Sequence, residues 1–500
     1  MITPRIFRDL SLGFSLDLTD GPAVEAGPSA EALAWAVDAM RSIEAGAIAN
    51  SDEGRQVGHY WLRDPRLAPD PSIGKSIRSA WSRLDDPTLA GADHDTVLVI
   101  GIGGSALGPI FLAAALSSSN DPRRLVCLDN TDPEGIQRKL SGIDPTRTVV
   151  VVVSKSGGTP ETRNGMLAAQ AYYANASVPF HEHAIAITGP GSRLDQLARA
   201  KGLSWRAVFP IHDWVGGRTS VTGPVGLLPM ALCGWDWRAF LAGAQEMDMV
   251  TRSPSPEDNP AALLAAAWYA AGGGRGDRAL VMLPYRDRFE LLGRYLQQLV
   301  MESLGKRLDR NGDRVDQGLT VYGNKGSTDQ HAYLQQVRDG RADTFTHFID
   351  TTLQGPRIEV DDGLFADDHL LGFLLGTQDA LRERERPSVH IRLADASPRS
   401  LGQLVALFER TVGIYAELID VNAYHQPGVE AGKQGAKAAL RALGALWSGL
   451  DDTPRTPREL KPEGCSARQA WRLLEHLAAT GRADHHPSQL DPLEDRFSAR

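Results

Sequence analysis

Two glycine- and hydroxyl-rich segments, each directly after a β-branched run, are the first places in this chain where an anion could be held. Ser154-Lys-Ser-Gly-Gly-Thr-Pro-Glu-Thr162 follows Thr148–Val153 and combines three hydroxyls, two glycines and a lysine ahead of an expected helix. Hydroxyls and backbone N–H groups at such a junction can wrap a phosphate, and Pro160 and Glu161 suit a helix's first turn. Gly101-Ile-Gly-Gly-Ser-Ala-Leu-Gly108 stands in the same relation to Thr96–Ile100. Its glycines permit close approach of an anion. With Gly101, Gly103 and Ala106, and Asp129 ending the next run, it nearly fits a dinucleotide fingerprint. A tight structural turn and a Ser/Thr-rich helix cap are the competing readings of the two loops. Neither is a Walker A loop, and Gly428–Gln434, the nearest approach to one, is a residue short and has Gln for Ser or Thr. A phosphate without a nucleotide is favoured.

Other residues gain meaning from their spacing. Gln298 and Glu302 lie four apart on a helix expected over Asp287–Leu304, where Leu299, Val300 and Met301 suggest burial. A buried carboxylate needs a partner or a task, and general base catalysis is such a task. A solvated helix edge, or pairing with Lys306 at i+4, is the alternative. Gly216-Gly217-Arg218 puts a guanidinium on a turn, able to approach an anion or simply to face solvent. His331 follows a loop and is expected to open a helix, as a catalytic or a solvated histidine. Lys433 sits about two turns into a helix beginning at Gln426-Pro427, and helical side chains lean toward the N-terminus, so its amine can reach back toward Gln426 or remain solvated. No metal site is expected. There is no HExxH, His181-Glu-His183 lacks a third ligand, and Asp309–Asp313 misplaces its glycine and has Thr320 where a closing Glu belongs.

Positioning these groups requires two successive α/β units. Apolar runs at Thr96–Ile100, Arg124–Leu128, Thr148–Val153 and Ala184–Thr188, separated by helical stretches, predict a parallel sheet covered on both faces. A break at Ser253–Asn259 and the Gly272–Gly276 cluster precede a second series, Ala279–Leu283, Phe345–Asp350 and Val389–Leu393, with a later helix over Pro427–Leu446. The expected organisation is a helical N-terminal segment over 1–90 (Ala30–Ile48, Ser72–Leu84), α/β domains at 91–252 and 253–448, and a C-terminal extension over 449–500. In that extension Asp451–Lys461 reads as a linker, Ser466–Thr480 as an amphipathic helix and Asp484–Arg500 as frayed, with a helix-turn-helix over Lys461–Arg482 as a minor alternative.

The 500 residues, 42% hydrophobic and 23% charged, suit a globular protein of several domains. A net charge of −9, from 53 Lys and Arg against 62 Asp and Glu, disfavours nucleic acid as the main ligand. Three widely spaced cysteines suit a reducing compartment. No secretory signal is visible, and no apolar run reaches the ~18 residues of a spanning helix, so no membrane partner and a cytoplasmic location are expected.

Taken together, Gly101–Gly108, Ser154–Thr162, Gly216–Ser220 with Val225–Pro229, Gln297–Lys306, Gly323–Tyr333 and Gln426–Lys433 resemble, in order and spacing, the glucose-6-phosphate isomerase (phosphoglucose isomerase) family over residues 95–440. The resemblance implies an α/β fold of two three-layer, parallel-sheet sugar-isomerase (SIS) domains. It implies interconversion of glucose 6-phosphate and fructose 6-phosphate through a cis-enediol(ate), without metal, nucleotide or other cofactor. By resemblance, Ser154, Ser156 and Thr159 hold the phosphate with Lys155 beside it, while Gly104, Ser105 and Gly217 line the sugar site. Glu302 is then the base, Arg218 stabilises the intermediate, His331 and Lys433 assist ring opening, and Gln298 and Gln426 position the sugar. The family's usual homodimer, with the equivalent of His331 entering the partner's site, is carried over as an expectation. Leu304 stands where many relatives have Asn, and Gly157-Gly158 replaces bulkier residues of animal forms; neither change removes a proposed catalytic group. The alternatives are an isomerase that also accepts mannose 6-phosphate, a non-catalytic sugar-phosphate sensor, and a nicotinamide-dependent dehydrogenase.

Overall fold

The computed structural model describes residues 6–23, 26–352 and 355–500, and the chain divides into two compact units at His425/Gln426.

In the first unit, the apolar runs become strands because continuous β-branched residues can be buried on both faces of a parallel sheet. Every residue of Thr96–Ile100 and Thr148–Ser154 is buried. Five parallel strands stand in the order Arg124–Leu128, Thr96–Ile100, Thr148–Ser154, Ala184–Thr188, Ala207–Pro210. Thr96–Ile100 pairs with Arg124–Leu128 on one side and Thr148–Ser154 on the other. The chain therefore reverses direction across the sheet at the first and third strands in sequence. Loops leaving two such strands splay apart and open a crevice at their carboxyl ends. Those are the two anion loops. Ala207–Pro210 adds an edge strand that its four residues did not announce, and its closing proline is tolerated at an edge.

The second sheet repeats the device. Ala279–Pro284 lies between Val321–Tyr322 and Thr344–Thr351, with Ser388–Leu393 beyond, all parallel. Phe14–Asp17 then adds antiparallel to Ser388–Leu393, and Ile6–Asp9 pairs antiparallel with Phe14–Asp17. The N-terminal segment, expected to be helical, thus also completes the second sheet. Phe14 and Leu16 alternate with Ser15 and Asp17 and are fully buried, but a four-residue alternation is too short to stand out in sequence. The helices Ala30–Glu44 and Pro71–Ser82 do form, capped by Ser29 and Asp70.

A long helix, Pro398–Leu418, is buried along nearly all its length and packs on Ala30–Glu44, Trp237–Val250 and Pro260–Gly272. It carries Glu409 and Arg410 into a buried ionic network. Arg63 donates to Asp248 at 2.7 Å and pairs with Glu409; Arg410 reaches Glu44 and Asp248 at 3.2 and 3.3 Å; Arg252 reaches Glu44 at 2.8 Å. Three guanidiniums face three carboxylates, so burial leaves no net charge. Burial alone would raise the Glu44 pKa, but Arg410 and Arg252 hold it at about 2.

The second unit comprises the helix Pro427–Ser448, a bridge at Arg455, the helices Pro457–Leu460 and Ala467–Ala479, and an antiparallel hairpin of Asp484–His486 with Arg496–Ser498. The helix Pro427–Ser448 packs on Ala467–Ala479. The expected linker is folded, with a Thr456/Glu459 capping box. The segment expected to fray is pinned by Phe497, which is fully buried and stacks on His485 at 4.7 Å between ring centroids. Over Lys461–Arg482 there is one helix, Ala467–Ala479, preceded by the four-residue helix Pro457–Leu460, and across 426–500 the 11 Lys and Arg are offset by 10 Asp and Glu, leaving little cationic excess for a phosphate backbone. Among the described residues no helix is long and apolar enough to cross a membrane.

Two predictions follow from the buried polar groups. Arg63→Met leaves Glu409 buried without its guanidinium and takes one of the guanidiniums from Asp248, and should destabilise the fold by about 3–5 kcal/mol in denaturant titrations. His347 is fully buried, accepts a hydrogen bond from Trp268 Nε1 at 3.1 Å, and is held by burial at a pKa of about 3 against 6.5 in solution. Between these values the unfolded chain binds one more proton, so stability is full above pH 6.5 and is lost as pH falls toward 3. His347→Gln should flatten that dependence by about 1 kcal/mol per pH unit.

Candidate active site

Three chain segments converge at the crevice of the first sheet, and glycines let them. Gly103 has φ +58°, in the left-handed region that side chains disfavour. A Cβ there would lie 3.1 Å from Gln298 Nε2, and one at Gly104 would lie 2.1 Å from the Gly217 carbonyl oxygen. Ser220 Oγ donates to the Gly217 carbonyl at 2.7 Å and to that of Gly104 at 3.4 Å, fixing the turn against the loop. The Gly217 carbonyl occupies the approach to Gly104 that a pyrophosphate would need, which counts against the dinucleotide reading.

The neighbouring loop is built as a cradle. Ser154 Oγ accepts from Gly157 N–H at 3.1 Å and donates to Thr159 Oγ1 at 3.3 Å, while Ser156 Oγ accepts from Gly158 N–H at 3.2 Å. Gly157 has φ +65°, and a Cβ there would lie 2.3 Å from the Leu194 nitrogen. Thr159 precedes the helix Pro160–Asn175 without capping it by its side chain, so the first turn keeps N–H groups available to an anion. Lys155 is directed elsewhere. Its Nζ donates to the carbonyls of Asp213 and Val215 at 2.9 and 3.1 Å, tying this loop to the segment that runs into Gly216-Gly217-Arg218. Burial lowers its pKa, with Asp213 opposing.

The helix expected over Asp287–Leu304 is interrupted. A 3₁₀ turn at Asp287–Phe289 and an α-helix at Leu292–Leu296 lead into a π-helical segment, Gln297–Glu302. Such segments recur at functional sites, and a pattern read at 3.6 residues per turn does not reveal them. Leu299 and Val300 are buried as expected, whereas Met301 is 39% exposed. Gln298 reaches Gly103, and Glu302 Oε2 lies 3.0 Å from Arg218 Nη1. The Arg218 side chain is only 6% exposed and that of Glu302 20%. Arg218 Nη2 also donates to the carbonyls of Ala423 and His425 at 2.9 and 3.2 Å. Burial lowers the guanidinium pKa and Glu302 raises it. Lys306 does not pair with the Glu302 carboxylate; its Nζ donates to the carbonyls of Glu302 and Ser303.

Gly104, Ser105, Gly217, Arg218, Gln298 and Glu302 are thus brought to one crevice, with Ser154, Ser156 and Thr159 on the adjoining strand end. His331 closes a 3₁₀ turn, Thr328–His331, and is exposed, where a helix start was expected. Gln426 and Lys433 belong to the second unit. Lys433 lies on an exposed face and its amine is 3.4 Å from Glu430, not Gln426. Sequence reasoning passed over Asn422 and His425, whose segment supplies the carbonyls for Arg218. His425 Nε2 is 3.7 Å from Asp52, and the Asn422 amide donates to Asn50 at 3.1 Å and to Asp52. Their only signal was a position directly before Gln426.

The family model described as phosphoglucose isomerase matches residues 36–383 and 377–447. A glucose-6-phosphate isomerase of Thermosynechococcus vestitus is 54% identical over 487 residues, covering 92% of this chain and 91% of the relative. One of Geobacter sulfurreducens is 53% identical over 495 residues, covering 94% and 92%. The crystal structure of a glucose-6-phosphate isomerase from Chlamydia trachomatis superposes with a TM-score of 0.82 at 26% identity, covering 95% of this chain and 93% of that one. With the family model matching residues 36–383 and 377–447 and relatives above 50% identical over nine-tenths of its length, the chain belongs to the phosphoglucose isomerase family.

Proposed function

We propose that this protein interconverts glucose 6-phosphate and fructose 6-phosphate, in glycolysis and gluconeogenesis, with Glu302 carrying the proton between C2 and C1. The observation that carries the reading is a partly exposed carboxylate 3.0 Å from a buried arginine, beside a loop of hydroxyls and helix N–H groups. A proton on carbon next to a carbonyl is only weakly acidic, so a base alone is insufficient. Arg218, fixed by backbone carbonyls, stabilises negative charge on the enediolate oxygen as it develops. Ser154, Ser156 and Thr159 bind the phosphate far from the reacting carbons, and that binding orients C1 and C2 against Glu302. One carboxylate serves both carbons because they are adjacent, and the reaction is redox-neutral within the sugar. Gly104, Ser105, Gly217, Gln298 and Gln426 line and position the sugar. Lys155 contributes by joining the phosphate loop to the arginine turn, while His331 and Lys433 assist ring opening. The working form is a cytoplasmic homodimer in which His331 enters the partner's site.

Wild-type protein should convert fructose 6-phosphate to glucose 6-phosphate in an assay coupled to NADPH formation, and Glu302→Gln should lower kcat by about 10³-fold while still binding sugar phosphate. Equal activity in the two would mean a different base. A wild type that binds sugar phosphate without turnover would instead be a sensor. Ser154→Ala with Ser156→Ala should raise KM by about 10- to 100-fold, the loss expected for hydrogen bonds to a charged group, and weaken competitive inhibition by inorganic phosphate in parallel.

A further inference from the structure

We propose that Lys306 is a positioning residue for Glu302, its amine clamping the carbonyls of Glu302 and Ser303 so that the carboxylate above them is left to Arg218. The inference rests on the assignment of Glu302 as the base. On a continuous helix a lysine four residues after a glutamate would face its carboxylate, but here the helical segment ends at Leu304. Here Nζ lies 2.8 Å from the Glu302 carbonyl oxygen and 2.7 Å from that of Ser303. The turn between Glu302 and Lys306 is tight. A Cβ at Gly305 would come within 2.7 Å of the Met301 carbonyl, so the chain doubles back tightly after the π-helical segment. Lys306 then starts the strand Lys306–Leu308, whose backbone is registered against Arg314–Gln317 through Lys306 and Gln317. The lysine is thereby anchored on one element while its amine holds the end of another.

The placement is expensive, which argues for a task. Lys306 is 5% exposed, and a buried amine without a direct carboxylate partner is disfavoured against an apolar side chain of similar size. The charged groups facing it are Arg218 from the glycine turn, Glu302 from its own segment, Asp52 from the hairpin near residue 50, and His425 from the segment after the long helix. Burial and then Arg218 bring its pKa down to about 7, with Glu302 and Asp52 opposing. A neutral amine still has two N–H groups for its two carbonyls, so the clamp outlasts loss of the proton.

Lys306→Met and Lys306→Gln test the assignment beside wild type and Glu302→Gln. Removing the clamp lets the carboxylate drift, and a displacement of about 1 Å is enough for a 100-fold loss of rate. Lys306→Met should therefore lose about 100-fold in kcat, with KM for fructose 6-phosphate and inhibition by inorganic phosphate within about threefold of wild type and no fall in Tm. Lys306→Gln, which keeps a neutral donor, should recover part of the rate. If Glu302→Gln is inactive while Lys306→Met keeps full kcat, the inference is overturned and the base assignment survives. Parallel losses of kcat, phosphate binding and Tm in both lysine variants would also overturn it, in favour of a purely structural lysine. An active Glu302→Gln would remove the base assignment and this inference with it.

Discussion

A guanidinium that is 6% exposed has to find partners in fixed places, and the rest of the site is arranged around the partners of Arg218. Its carboxylate comes from the π-helical segment of the second α/β half. Two of its backbone acceptors, Ala423 and His425, follow the long buried helix. The arginine itself sits on the turn that follows the last strand of the first half. One buried cation therefore draws together three segments remote in sequence, and displacing the carboxylate or the carbonyl segment takes a partner from it. The close approach of Gly104 to Gly217 is a consequence, because the turn must press into the mouth of the first sheet to deliver the arginine.

Beneath the site, the ionic network of Arg63, Arg252 and Arg410 with Glu44, Asp248 and Glu409 plays the corresponding part for the scaffold. Its members come from the N-terminal helix, the segment after it, the helix Trp237–Val250 with the turn that follows it, and the helix Pro398–Leu418. An apolar interface of the same area would be as stable, but it could slide. Directional bonds between paired charges fix the register of the helices. The end of Pro398–Leu418 sets where the Ala423 and His425 carbonyls stand, so this register bears on the position of Arg218.

The sequence disclosed most of what depends on local pattern. Central strands such as the one begun at Thr148 were visible because β-branched runs admit few other structures, and the loop Ser154–Thr159 because hydroxyls and glycines mark the junction of a strand and a helix. Features set by distant partners were hidden. Phe14–Asp17 becomes a strand only because Ser388–Leu393 offers an edge, and the final hairpin only because Phe497 has a pocket to fill. The π-helical segment was invisible for a different reason: Gln297–Glu302 has the composition of an ordinary amphipathic helix. Its altered turn shows only when Gln298 meets Gly103 and Glu302 meets Arg218. Lys306 was noticed, but as the partner of the wrong oxygen.

The pairing of Glu302 with Arg218 has a consequence for the proposed chemistry. When Glu302 accepts the proton, the carboxylate becomes neutral and an equal negative charge appears on the enediolate oxygen. The cation beside them has one anionic partner before the step and one after it, so the crevice carries the same net charge throughout. No solvent need rearrange to stabilise a new charge, which is the condition under which a fixed dipole or ion lowers a barrier most. This requires that the arginine not follow the carboxylate as its charge vanishes. Its bonds to the Ala423 and His425 carbonyls supply that restraint, since neither acceptor changes during the reaction.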